Sequence, residues 1–313
     1  MGNSKNRSNR YITVKLLYFL LLWQLPLVAA AANDTSDIDT NEIDTIVVPL
    51  TESDDINHEG YYFIRLLKLA LSKTIATNGS FQVKEYHTVV VDDLLRQTLQ
   101  SGDIDVIWSN TSSHYDCDLQ PVGYSLLKDL SNYRLLLIRG DDQPRFDQVN
   151  SRSDLAKLTG GMGEQWPDIA IMKQNKLPLV TAPGYEEIFK MLSAKRFDYF
   201  SRGIYQIQTE SERRPHLRLV IEKNLLLHYP NTFRFFVHRH NSALADRLSE
   251  GLRLAQLDGS FDMLFNSIPR YRWGIDELRN GSRKLIELTS PKSATELGPC
   301  KKGNLAKHKI LPQ

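Results

Sequence analysis

Short apolar runs that alternate with amphipathic stretches constrain this chain more than any other feature. Residues 45–50 form a β-branched run stopped by Pro49 and then by polar residues, as a first strand does. Residues 61–73 place Phe63, Leu66, Leu67, Ala70 and Leu71 at helical spacing. Asn78-Gly79 breaks that helix, and residues 81–86 alternate as a second strand. Asp92 suits the N-cap of a helix through Gln100 with Gly102 as its stop, and residues 105–108 read as a third strand. The order β-α-β-α-β with short connections is that of a parallel sheet flanked by helices. Such sheets bind ligands beyond the carboxyl ends of their strands. Here those ends are Leu50-Thr51 and Ser109-Asn110-Thr111.

A second unit repeats this logic. Residues 133–139 are a strongly apolar strand, residues 153–155 open a short helix, and residues 159–163 read as a glycine-rich connection. Pro167 suits the first position of a helix running to about Asn175. Then come a strand at 179–181, a helix at 185–194 burying Ile188, Phe189 and Leu192, and a strand at 197–200. Residues 232–238 are a further strand. Leu244, Leu248, Leu252 and Ala255 recur at helical spacing, Asp258-Gly259 ends that helix, and 261–265 continue in a helical turn. The tail from Ser282 is basic and polar and is expected to be partly loose.

At 313 residues the chain is longer than one core usually organises, so two lobes are expected. Its 41% hydrophobic and 24% charged residues exclude a wholly disordered chain, a collagen and a disulfide-stapled miniprotein. A net charge of +2 lacks the strong basicity of a nucleic-acid binder. Lys5, Arg7, Arg10 and Lys15 precede an apolar run at 16–28, followed by Ala29 to Ala32. That is the plan of a cleaved signal peptide, residues 1–32, with a flexible leader at 33–43. An uncleaved N-terminal anchor is the alternative. Cleavage removes four basic residues and no acid, taking the formal charge from +2 to −2. Export would make a disulfide available to Cys117 and Cys300, the only two cysteines; whether they meet is open at this point.

Three segments carry a resemblance. Ser101-Gly102-Asp103-Ile104-Asp105-Val106-Ile107 followed by Thr111, the helix at 185–192 with Arg196-Phe197-Asp198-Tyr199, and Leu257-Asp258-Gly259-Ser260-Phe261 stand in order over about 46–267. Together they resemble bacterial periplasmic solute-binding protein family 3, the amino-acid-type receptors of ABC transporters, as a divergent branch in which Gly163-Glu164-Gln165-Trp166-Pro167-Asp168 is distinctive. The resemblance implies a type II periplasmic-binding-protein fold of class α/β, each lobe a helix-flanked, mostly parallel sheet. Lobe one would be 44–134 plus 231–290, lobe two 135–230, and a tail would follow at 291–313. Two strands would cross between lobes, near 135–139 and 229–233, and hinge closure would trap a solute in the cleft. It further implies a monomer in the periplasm of a Gram-negative bacterium, with no cofactor and no nucleic acid, serving an inner-membrane permease or a sensor.

The family's ligand chemistry does not carry over. The place of its carboxylate-gripping Arg is Asp116, and the place of its amine-binding acid falls within Ser201-Arg202-Gly203. Candidate ligand-binding residues are Tyr61, Ser109, Asn110, Thr111, Gln165, Trp166, Tyr185 and Arg202. Each has a structural alternative. Ser109 to Thr111 could satisfy only their own turn, Trp166 could pack beneath its loop, Arg202 could form a surface ion pair, and the tyrosines, Tyr229 included, could be core. His238 and His240 are too few ligands for a metal site. Arg213-Arg214 and Arg270-x-Arg272 read as exposed loop charges. The function expected is capture of a small polar solute, including an anionic one, without catalysis. The alternatives are a dehydratase-like enzyme using a cleft acid such as Glu164, and a partner-binding protein with no solute.

Overall fold

Strands form where the sequence runs apolar or alternates, and helices where the apolar period lengthens to 3.6. The computed structural model describes residues 43–51, 54–88, 92–111, 118–164 and 166–291, all within one compact unit. The signal segment 1–32, the leader through 42, Asp116, Gln165, Cys117, Cys300 and the tail 292–313 lie outside the described residues.

Helices of six residues or more are labelled. The first half of lobe one runs β1 (Asp44–Val48), α1 (Glu59–Ser72), β2 (Phe81–Glu85), α2 (Asp92–Ser101), β3 (Val106–Asn110) and β4 (Leu119–Pro121). Lobe two follows with β5 (Tyr133–Arg139), β6 (Gly160–Gly163), α3 (Asp168–Gln174), β7 (Leu179–Ala182), α4 (Tyr185–Ser193), β8 (Tyr199–Gly203), α5 (Ile207–Glu212), β9 (Leu219–Ile221) and β10 (Leu225–His228). The chain returns through β11 (Phe233–His238), α6 (Ser242–Leu257), α7 (Ser260–Ser267) and α8 (Pro269–Asn280), and the last described strand is β12 (Lys284–Glu287).

In lobe one β1 pairs with β2 in parallel, and β11 lies antiparallel between β3 and β4. The Asp105 N–H donates to the Val47 carbonyl at 2.8 Å and ties β1 to the start of β3. Phe63 of α1 stacks against Trp108 of β3 and Phe233 of β11 at 5.6 and 4.9 Å. In lobe two the strand order is β12-β10-β5-β8-β6-β7, with β9 pairing the far end of β5. β6 runs parallel to β7 and β8, whereas β5 is antiparallel to β8 and β10. Leu135, Leu136, Leu137 and Ile138 of β5 are all fully buried, because helices cover both faces of the sheet.

The two-lobed, helix-flanked α/β plan is the one expected. Three features differ from the sequence reading. The glycine-rich segment at 160–163 is a strand, because neighbouring rings occupy the space a side chain would need. A Cβ on Gly161 would lie 2.1 Å from the Phe197 ring, and one on Gly163 2.6 Å from the Trp166 indole. Second, the segment read as a loose tail from Ser282 contains β12, which pairs in parallel with β10 of lobe two. Lobe one therefore does not extend to 290. Third, the chain crosses between lobes three times and not twice: into β5, out to β11, and back through α8 to β12.

Arg270, read from the sequence as an exposed loop charge, is 3% exposed in the first turn of α8. Its Nη1 donates to the carbonyls of Ile56 and His58 at 3.1 and 3.2 Å. The hydrophobic core is continuous between lobes. Ile204 and Tyr205, which follow β8, join the cluster that contains Tyr62, Phe63, Phe233 and Tyr271.

Candidate functional site

Three neighbouring strands of lobe two, β8, β6 and β7, end on the side where α3 and α4 begin. That is where open α/β sheets take ligands. The residues at or just past those ends are Arg202, Trp166 and Tyr185. The structure brings these three sequence candidates together. The Arg202 guanidinium lies 4.6 Å from the Trp166 ring, 5.0 Å from Phe200 and 5.6 Å from Tyr185. Trp166 packs on Phe200 at 5.8 Å and covers Gly163, so the packing alternative is realised.

Arg202 is not a surface ion pair. Both partners' side chains are 8% exposed, and the Glu210 carboxylate of α5 faces the guanidinium edge-on. Nε donates to the two Glu210 oxygens at 3.0 and 2.8 Å, and Nη2 donates to Oε1. The Tyr185 hydroxyl donates to the same oxygen at 2.6 Å. Burial pulls the Arg202 pKa down, but the Glu210 carboxylate outweighs it and the net direction is up. Burial, reinforced by Glu210, holds the Tyr185 hydroxyl well above its ordinary range.

Arg213 and Arg214 are not free loop charges. Arg214 lies 3.8 Å over Phe189 and 5.3 Å from Tyr185, pairs with Glu186, and donates to the Glu210 carbonyl at 3.0 Å. Arg213 reaches across to lobe one and meets Asp55 at 2.7 Å. Gln206 makes a second crossing contact, donating from Nε2 to Glu59 Oε1 at 2.5 Å. Glu59 begins α1, beside the His58 N-cap whose Nδ1 accepts from the Gly60 N–H at 3.2 Å. An acid there is favoured by the helix dipole. The ring of Tyr205 sits 6.2 Å from Phe233 and 6.5 Å from Tyr271, which closes the floor between the lobes.

On the lobe one side Ser109, Asn110 and Thr111 stand half-buried at the carboxyl end of β3. The Thr111 N–H donates to the Thr232 carbonyl at 2.8 Å. The Asn110 Oδ1 is buried and accepts no hydrogen bond among the described residues. Tyr61 is half-buried in the first turn of α1 with the Arg65 guanidinium 4.2 Å over its ring, so its partner is its own helix. Tyr229 is core: its hydroxyl donates to Asp168, which also accepts from Arg134 Nη2 at 3.1 Å. Sequence reasoning missed Glu59, Gln206 and Glu210. Only their places could have signalled them: one begins a helix, and the others follow the β8 end.

No family model matches the chain, and no curated protein matches it. Solved structures do. An amino acid ABC transporter substrate-binding protein AbpA from Streptococcus pneumoniae, bound to L-arginine, is 14% identical with TM-score 0.52, over 74% of this chain and 95% of that one. The periplasmic VFT2 domain of Bordetella pertussis BvgS is 16% identical with TM-score 0.53, over 73% and 93%. The ancestral amino acid-binding protein AncCDT-1, a precursor of cyclohexadienyl dehydratase, is 15% identical with TM-score 0.51, over 72% and 94%. The chain therefore has the two-lobed periplasmic-binding-protein fold. At these identities the likeness is one of fold.

Proposed function

We propose that this chain is an exported, two-lobed receptor that captures a small polar solute between its lobes and hands the signal or the solute to an inner-membrane partner. The observation that carries the reading is the convergence of Trp166, Tyr185 and Arg202 at three adjacent strand ends of lobe two, with Glu59 of lobe one within electrostatic reach of Tyr185 and Arg202. The similar structures, an arginine-bound ABC transporter substrate-binding protein and a periplasmic domain, support periplasmic location and a membrane partner, a permease or a sensor.

The charge of the solute is narrower than the sequence suggested. Arg202 is committed to Glu210, so it is not a spare cation of the kind that grips a carboxylate. Glu59 of lobe one adds a second acid within electrostatic reach of Tyr185 and Arg202, so a neutral or amine-bearing solute fits better than an anion. The enzyme alternative has a precedent of fold in the dehydratase precursor. Its sequence candidate for a base, Glu164, is exposed at the end of β6, where water would level its reactivity. Binding without turnover is the better reading.

The test is thermal unfolding of the protein against amino acids, amines, sugars, carboxylates and peptides. A ligand that binds only the folded state raises the midpoint in proportion to the logarithm of its concentration. A saturable rise with amines or neutral polar solutes is expected, and turnover of the stabilising compound would overturn the non-enzymatic reading. A second reading is favoured by the contacts Asp55–Arg213 and Glu59–Gln206, in which the chain's own side chains join the lobes. On it, the closed module is recognised as such by a partner protein, and no solute in the panel shifts the midpoint.

A further inference from the structure

The surroundings of Arg202 have the make-up of a recognition site for a guanidinium cation. A carboxylate meets the guanidinium edge through several hydrogen bonds, which suits the planar fork of that cation and not a point charge. Three aromatic rings, Trp166, Phe200 and Tyr185, lie within 5.6 Å of its central carbon, where a ring's negative face attracts a delocalised cation. The Tyr185 hydroxyl orients the carboxylate at 2.6 Å. The ion pair stands at the ligand-binding end of the lobe two sheet and is almost fully buried, with Trp166 and Tyr185 half-buried around it.

We infer that lobe two holds a guanidinium-binding cage and that the chain's own Arg202 is its occupant. The cage members are Trp166, Tyr185, Phe200 and Glu210, and the ligand class is a small guanidinium cation. The inference deepens the receptor reading and rests on it for the location of the cleft. Within the cage the charges of Arg202 and Glu210 satisfy each other, so neither is offered to a solute. Reciprocal behaviour follows. Removing the guanidinium leaves a carboxylate and three rings that an external guanidinium can fill. Removing the carboxylate's charge releases Arg202 to take an external anion.

The experiment follows the thermal midpoint of wild type, Arg202→Ala and Glu210→Gln with guanidinium or methylguanidinium chloride at low millimolar concentration. Sodium and tetramethylammonium chloride at equal ionic strength are the controls. Arg202→Ala is expected to show a saturable rise with both guanidinium salts, with an apparent affinity about ten-fold or more above any response of wild type. No such rise in a folded Arg202→Ala overturns the inference. Should that variant fold only when a guanidinium salt is present, the cage is supported directly. Should it fold in no salt, Glu210→Gln decides, since glutamine preserves the shape of the site. This variant is expected to be stabilised by acetate or succinate where wild type is not, and indifference to both overturns the inference. The two readings fail separately. A wild type that binds a solute beside an Arg202→Ala that ignores guanidinium removes the cage alone. A responsive Arg202→Ala beside a wild type that binds nothing removes the receptor alone.

Discussion

Tyr62, Tyr185, Tyr199, Tyr205, Tyr229 and Tyr271 all hold their protons above the ordinary phenol value of 10.0, and burial is the first cause in each case. In the unfolded chain they ionise near that ordinary value. Above it, the folded state binds more protons than the unfolded state, so stability falls as pH rises. Below it, neither state has lost these protons and the groups add no pH dependence. Alkaline titration should therefore show these six rings ionising in a cooperative step that coincides with loss of circular dichroism. A single reversible step with the fold intact would contradict this burial. Residue scale is also where the sequence was least legible. Trp166, Tyr185 and Arg202 stand together, and strand ends can be read from pattern: the sequence placed Arg202 at one and Tyr185 just past one. Arg270 and Arg214 were misread as loop charges because their partners, the carbonyls of Ile56 and His58 and the side chain of Glu186, lie far away along the chain.

Elements with a strong period were legible, and elements whose stability is borrowed from neighbours were not. The amphipathic helices α1, α4 and α6 and the strand β5 follow from their own residues. The strand β6 does not, since glycine is a poor strand former and only the rings of Phe197 and Trp166 make sense of it. The three- and four-residue strands β9, β10 and β12 are too short to leave a pattern. The crossing of α1 and α6 shows the same dependence on a partner. A Cβ at Gly251 of α6 would stand 2.0 Å from the Ala70 carbonyl oxygen of α1. Gly251→Ala should gain about 1 kcal/mol of helix propensity. It should lose more by forcing the two backbones apart, for which overpacking costs of about 1–3 kcal/mol are a floor. The expected outcome in urea unfolding is a lower midpoint with little change in slope. A midpoint at or above that of wild type would mean that the crossing gives way freely.

At the scale of the whole molecule the question is what keeps the lobes together. Two kinds of contact bridge them, and their magnitudes differ. The Asp55–Arg213 pair is nearly half exposed on both sides, so water and salt screen it and it contributes about 0–1 kcal/mol. Tyr205 is 2% exposed and sits between the lobes against Phe233 and Tyr271, in a core that runs without a break from one lobe to the other. Deleting a buried aromatic of that kind costs about 3–5 kcal/mol. Three chain crossings, with β12 pinned to β10, restrict how far the lobes can part without breaking that core. Closure in this molecule is then mainly a packing effect and only weakly an electrostatic one. Arg213→Ala should leave the unfolding midpoint and the radius of gyration from small-angle scattering close to wild type, at low and high salt alike. Tyr205→Ala should lower the midpoint and enlarge the radius of gyration, because the lobes separate at their shared floor before either sheet unfolds. If instead Arg213→Ala opens the molecule and Tyr205→Ala does not, the lobes are latched at the rim, and a change of salt or pH at the surface would be enough to release them.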